Sequence, residues 1–289
     1  MNKLTDQIQA EVNKVVLGKE DIVRKVLLAI LAQGHVLLED VPGVGKTTLA
    51  KAFSKTLGLD SKRVQFTSDT LPSDIIGFSV FDKADGKLKY QSGAIMTNLL
   101  LADEINRTSS KTQAALLEVM EEGNVTVDGV TRKVPEPFVV IATENPAESV
   151  GTQLLPESQL DRFMICTSLG YPSLENEIAI VKGRQIQDDK AVLQPVINAE
   201  QLLYCKKLVE QIYMADDIYR YLCELCQTTR TNPLIELGVS PRGSVALMRI
   251  SKAIAFLHGR DYVIPGDIDE IFLDVAAHRL VRSAKAKAA

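Results

Sequence analysis

One stretch, residues 35–57, constrains the fold more than any other. His35-Val-Leu-Leu-Glu39 is a short apolar run, Asp40–Gly45 is a glycine-rich turn, and Lys46–Leu57 has helical spacing that ends at Gly58. Asp40-Val-Pro-Gly43-Val-Gly45-Lys46-Thr47-Thr48 is close to the phosphate-binding pattern GxxxxGK[ST]. Its glycines let successive backbone N–H groups face a phosphate, and the helix N-terminus adds a favourable dipole. Lys46 is expected to reach the β and γ phosphates and the Thr47 hydroxyl to ligate Mg²⁺, with Pro42, Gly43, Val44, Gly45 and Thr48 completing the cradle. The departure is Asp40, where the pattern has Gly. Asp tolerates left-handed turns, but here its charge must point away from the phosphates.

Further apolar runs at Val64–Phe66, Leu99–Ala102, Val139–Ala142 and Phe163–Cys166 bring the strands to five, several separated by helical segments. That alternation predicts a mostly parallel α/β sheet. Two hairpins interrupt it, Phe78–Tyr90 around Asp85-Gly86 and Val125–Val134 around Asp128-Gly129. Beyond Tyr171-Pro172 the pattern is helical, with segments at Glu175–Arg184, Ala199–Ile212, Asp216–Gln227, Ser244–Leu257 and Pro265–Leu280 and no regular strand. The expected architecture is a three-layer α/β nucleotide domain at residues 1–171 and an all-α lid at 172–289, with the basic tail Ser283–Ala289 fraying.

Leu99-Leu-Leu-Ala-Asp103-Glu104 is an apolar strand that ends in adjacent carboxylates. ATP hydrolysis needs one acid to hold the metal's hydration shell and another to orient the attacking water; Asp103 suits the first role and Glu104 the second. Ile141-Ala-Thr143-Glu144-Asn145-Pro146 is another strand end, where Asn145 either holds that water or simply starts an Asn-Pro turn. Arg162 and Arg242, taken singly, read as surface ion pairs, although an arginine near a γ phosphate can neutralise transition-state charge.

Composition narrows the classes. Lys plus Arg is 33 against 37 for Asp plus Glu, a formal charge of −4, which offers no general attraction to nucleic acid or anionic membrane. Met1–Gln9 is polar and Val26–Ala32 is too short to cross a bilayer, so the chain reads as cytoplasmic without membrane insertion. Four cysteines do not suggest a disulfide framework; Cys223-x-x-Cys226 lacks further ligands and reads as two small core residues on one helix face. His35, His258 and His278 read as packing or surface residues.

Five blocks together resemble the MoxR family of AAA+ ATPases: Ala102-Asp-Glu-Ile-Asn-Arg107, Lys111-Thr-Gln-Ala-Ala-Leu-Leu-Glu-Val-Met-Glu-Glu122, Ala142-Thr-Glu-Asn-Pro146, Leu155-Pro-Glu-Ser-Gln-Leu-Asp-Arg-Phe163 and Gly238-Val-Ser-Pro-Arg242. They occur in the family's order over nearly the whole chain. The resemblance implies Asn145 as the first sensor, Arg162 as the arginine finger given to a neighbour, and Arg242 as the second sensor on the lid. It likewise implies that Val16-Leu17-Gly18 lies against adenine, and that Gly77–Gly93 is the insert shared with magnesium chelatases and MCM helicases. In such relatives both hairpins face the pore or the client. The chain ends soon after His278-Arg279-Leu280, where family members usually continue through another lid helix. The resemblance implies a ring, hexameric in the family, that binds and hydrolyses Mg·ATP to remodel or mature a protein client, often by metal or cofactor insertion. A von Willebrand factor A-type partner is also implied. A nucleic-acid motor or a chelatase-type subunit built on the same core are the alternatives; Lys83, Lys87 and Lys89 on the first hairpin keep the motor open.

Overall fold

The computed structural model describes residues 2–41, 43–84, 86–145, 153–185 and 193–288. Helices α1 (Asn2–Asn13) and α2 (Glu20–Leu31) lead into β1 (Val36–Glu39) and α3 (Lys46–Thr56). Strand β2 (Ser61–Gln65), the short α4 (Pro72–Ile76) and the ribbon β3 (Phe78–Asp82)–β4 (Lys87–Gln91) follow. Next come β5 (Leu99–Asp103), α5 (Ser110–Glu122), the ribbon β6 (Asn124–Val127)–β7 (Val130–Lys133), β8 (Val139–Glu144), α6 (Glu157–Leu160) and β9 (Ile165–Thr167).

The five expected strands form one sheet in the order β2-β5-β8-β1-β9, and every neighbouring pair is parallel. Alternation along each strand divides its side chains between two layers. Val36, Leu38, Leu99, Leu101, Val139 and Ile141 join the cluster built on α1, α2 and α3, whereas Leu37, Leu100, Ala102, Val140 and Ala142 join the cluster under α5. His35, just before β1, is buried between these parts. Its Nδ1 accepts from the Val140 amide (3.0 Å), its Nε2 lies 3.0 Å from the Met120 carbonyl, and burial pushes its pKa down to about 4.

The remainder is helical: α7 (Leu174–Gln185), α8 (Ala199–Glu210), α9 (Asp216–Thr231), α10 (Pro241–Leu257) and α11 (Pro265–Ala276). Asn198 and Ser240 cap α8 and α10 with side-chain oxygens, and Pro241 occupies the first turn of α10, where its missing N–H costs nothing. Helix α2 is buried on most of its surface because α1, α8 and α10 pack on it; one apolar cluster runs from Val36 and Leu38 through Leu27 and Ile30 to Ile250 and Ile254.

Three details differ from the sequence expectation. A short antiparallel ribbon, β10 (Ile235–Leu237) with β11 (Val281–Arg282), accompanies the lid helices. It ties down the tail expected to fray: the Ser283 amide donates to the Leu234 carbonyl (2.9 Å), its hydroxyl to the Pro233 carbonyl (3.1 Å), and a last turn, α12 (Ala284–Ala288), follows. Cys223 is exposed while Cys226 is buried, so only one of the pair is a core residue.

Candidate active site

In a parallel sheet the strands' carboxyl ends share one edge, and the loops that follow them meet there. Gly43 and Gly45, just after β1, have φ of +89° and +104°, values that side chains rarely adopt, and a Cβ at either would meet nothing within 4 Å. Backbone conformation, not crowding, therefore requires glycine at both. The turn delivers the chain into α3, whose first N–H groups lack partners within the helix and face outward at Lys46, Thr47 and Thr48. Pro42 lies outside the described residues.

Lys46 is buried, and its ammonium donates to the Asp40 carbonyl at 2.9 Å. Burial lowers its pKa, while Asp40, Asp103 and Glu104 pull the other way. Asp40 itself turns its carboxylate away from the loop's interior, as its charge requires. One oxygen accepts from the Ser168 hydroxyl (2.8 Å) and the Gly170 amide (3.0 Å), the other from the Leu169 amide (2.5 Å). The anion in the phosphate loop is thus satisfied by neutral donors in the strap that leads from β9 toward α7.

Asp103 ends β5 nearly buried. Its Oδ1 accepts from the Thr143 hydroxyl (3.0 Å), and its Oδ2 accepts from Arg63 Nε (2.8 Å), with Arg63 Nη2 at 2.7 Å. The Thr143 oxygen in turn accepts from the Glu104 amide (2.9 Å), so one hydroxyl on β8 orients both neighbouring acids. Glu104 has φ +55° and ψ +52°, a left-handed conformation that is costly for a side-chain residue and is found where surrounding structure enforces it. Its carboxylate accepts from Arg107 at 2.8 Å. Lys46, Thr47, Asp103 and Glu104 line one cavity of about 250 Å³ with Gly43, Gly45, Arg63 and Gln65.

Thr47 and Asp103 supply one hydroxyl and one carboxylate. That donor set suits Mg²⁺, which keeps several waters and takes its other ligands from phosphates. Among the described residues there is no cluster of three or more His, Cys, Asp or Glu that would make a dedicated cage.

Asn145 follows β8, which the strand order places between β1 and β5, so it stands between the phosphate loop and the acid pair. Its carbonyl accepts from Asn106 Nδ2 at 3.1 Å. Val16, Leu17 and Gly18 do not line the phosphate cavity. Val16 is in the core, and Gly18 (φ +67°) packs against the Asn176 side chain of α7, close enough that a Cβ would collide. Lys19 donates to the Tyr171 carbonyl at 2.9 Å, so the strap bonded to Asp40 also meets this segment.

Arg162 and Arg242 come together in a separate cavity of about 360 Å³. Both pair with Glu121 at the end of α5, Arg162 at 2.5 Å; Arg162 also donates to the Leu117 carbonyl (2.9 Å). Beside them Asp161 accepts from the Ser240 hydroxyl (2.8 Å) and from Arg279 Nε (2.8 Å). Arg279 is buried and also bonds the carbonyls of Asp161, Phe163, Met164 and Val275. Gly243 admits it, since a Cβ there would come within 2.8 Å of the Arg279 side chain. Sequence reading passed over Thr143, Arg63 and Arg279. Their signal was faint: a hydroxyl or a cation whose partner lies on another element.

Residues 35–165 match the family described as ATPase family associated with various cellular activities, and residues 227–289 match an AAA lid domain. Chaperone MoxR1 of Mycobacterium tuberculosis is 37% identical over 94% of this chain and 74% of its own length. An uncharacterized protein of Bacillus subtilis, YeaC, is 47% identical over 99% of this chain and 90% of its own. A solved structure from Cytophaga hutchinsonii superimposes with a TM-score of 0.92 at 35% identity, covering 99% of this chain and 90% of that one. With the five-stranded parallel sheet and helical lid, these matches establish that the chain belongs to the MoxR family of AAA+ ATPases.

Proposed function

We propose that the protein binds Mg·ATP in the cavity beneath the phosphate loop and hydrolyses it at the boundary between subunits of a ring, hexameric as the family resemblance implies. The observation that carries this reading is the single cavity lined by Lys46, Thr47, Asp103 and Glu104. The loop amides of Gly43, Val44 and Gly45, with those of Lys46, Thr47 and Thr48, hold the phosphates, and Lys46 leaves the Asp40 carbonyl for the β and γ oxygens. Thr47 and Asp103 would hold Mg²⁺, which when bound would supply charge neutralisation for the phosphates. Glu104, aimed by Thr143 and Arg107, accepts the proton of the attacking water, and Asn145 keeps that water in line. Val16-Leu17-Gly18 receives the adenine.

The core is taken as residues 1–171 and the lid as 172–289. Arg162 and Arg242 belong to the neighbour's site in this reading. Their common hold on Glu121 keeps both guanidinium groups on one face, away from the cavity of their own chain. Entering an adjacent site, Arg162 stabilises charge on the γ phosphate and Arg242 completes the contact from the lid. The work done is chaperone-like remodelling or maturation of a protein client in the cytoplasm, by metal or cofactor insertion, with a von Willebrand factor A-type partner. A protein client fits the two ribbons, which abut where Arg132 lies 4.1 Å above the Tyr90 ring and which expose Val80, Leu88 and Val130. Phe78 and Phe81 are also exposed. Three residues apart on one strand, they point to opposite faces and make no stacking row for bases. Among the described residues no helix is long and apolar enough to cross a membrane.

Mixing subunits tests the assembly. Lys46→Ala cannot use its own site yet still offers Arg162, whereas Arg162→Ala has an intact loop and no finger to give. Each alone should be inactive, Arg162→Ala by a factor on the order of 10³. Mixed assemblies, verified by sizing, should regain partial ATPase activity. Mixed assemblies that stay inactive would remove Arg162 from the neighbour's site.

A further inference from the structure

Arg63 enters the phosphate cavity from the edge strand. An arginine at a sheet edge ordinarily keeps its head in water and discourages pairing with another chain's strand. This one points inward along β2. Nε and Nη2 both lie on Asp103 Oδ2, at 2.8 and 2.7 Å, and Nη2 also donates to Gln65 Oε1 at 3.2 Å. Asp103 is nearly buried and needs a partner for its charge, which accounts for one side of the guanidinium. The other side is not consumed. Among the described residues Nη1 makes no hydrogen bond, the Arg63 side chain is 51% exposed, and it lines the same cavity as Lys46 and Thr47.

Two cations thus enter that cavity from opposite walls, Lys46 from the β1 side and Arg63 from the β2 side, with Asp103 between them. A lysine is a point charge, whereas a guanidinium can hold a carboxylate with one edge and a phosphate oxygen with another. Asp103, which stands where the metal and terminal phosphate meet in the proposed mechanism, fixes where that second edge points. From this geometry we infer that Arg63 is a nucleotide-contacting residue that binds the terminal phosphate of ATP and gives the site its preference for a nucleoside triphosphate over a diphosphate. The inference rests on the proposed Mg·ATP reading of this cavity. Arg63 also steadies Asp103 through a charge-assisted pair, but its contribution to affinity depends on the γ phosphate, which ADP lacks.

The test is calorimetric binding of ATP and ADP to the full chain, with Mg²⁺ and in EDTA. Arg63→Gln should weaken ATP by about 10- to 100-fold, the range of one charged hydrogen bond, while ADP affinity changes by no more than about 3-fold. Arg63→Lys retains charge without the fork and should keep part of the preference, which guards against reading a folding defect as a binding effect. The wild-type preference should persist in EDTA, since it comes from a side chain. Equal losses for ATP and ADP in a folded Arg63→Gln protein, or unchanged ATP affinity, would overturn the inference. Lys46→Ala separates the two levels: if it loses both nucleotides while Arg63→Gln leaves the ATP:ADP ratio untouched, only the role of Arg63 fails. If Lys46→Ala binds both normally, the site reading fails with it.

Discussion

The phosphate cavity and the arginine cluster are both charged, both half open, and built on opposite plans. The cavity takes its residues from the ends of three parallel strands and one helix within the core sheet. The cluster takes Glu121 from α5, Asp161 and Arg162 from just after α6, Arg242 from α10 and Arg279 from beyond α11, so it exists only where lid meets core. A site made from strand ends is positioned by the hydrogen-bonded sheet. A site made across two bodies is positioned by how they dock, and it changes if they move. In the proposed function, nucleotide binding belongs with the first plan and communication between subunits with the second.

The largest effect that could break this contrast is expected at Lys46. Lys46→Ala should weaken nucleotide binding about 100-fold or more by calorimetry while leaving urea unfolding of the lid unchanged, because it removes the loop's cationic side chain and no docking contact. Next is Arg279. Arg279→Met keeps the bulk but strips Asp161 of its nearest cation and leaves buried carbonyls unpaired, so unfolding free energy should fall by about 3 kcal/mol. Nucleotide affinity of the single subunit should change little. If Arg279→Met lost nucleotide as thoroughly as Lys46→Ala, the two sites would not be separable.

The smallest effect sharpens the boundary between them. Glu144 closes β8 beside Glu39, and burial first, then the Glu39 charge, raise its pKa from 4.5 to about 7. A carboxyl raised in this way gives its full stabilisation below pH 4.5 and loses it as pH climbs through 7. The total is at most about 3 kcal/mol. Glu144→Gln should therefore melt a few degrees above the wild type at pH 8 and match it near pH 4.5, as followed by circular dichroism. An identical offset at both pH values would assign the difference to packing.

Much of the fold and the cavity was legible in the sequence because their signals are local. The glycines, Lys46 and Thr47 are contiguous; Asp103 and Glu104 end an apolar run; Asp128-Gly129 turns its hairpin with both residues at positive φ. What escaped depends on partners distant along the chain. The acceptor role of Asp40 is met by donors 128 to 130 residues away, and Arg63 finds Asp103 40 residues on. Arg279 looks like any basic residue near a helix end until Gly243 is seen to leave room for it. The β10–β11 ribbon is too short for alternation to reveal. Family resemblance named Arg162 and Arg242, but only the structure shows that they share one carboxylate.

Asp40 has a mechanical consequence. Its carbonyl holds Lys46 while its carboxylate holds the strap at Ser168–Gly170, so one residue clasps the phosphate loop to the segment that leads into α7. A displacement of that residue is felt at both ends of the clasp, at Lys46 and at the strap.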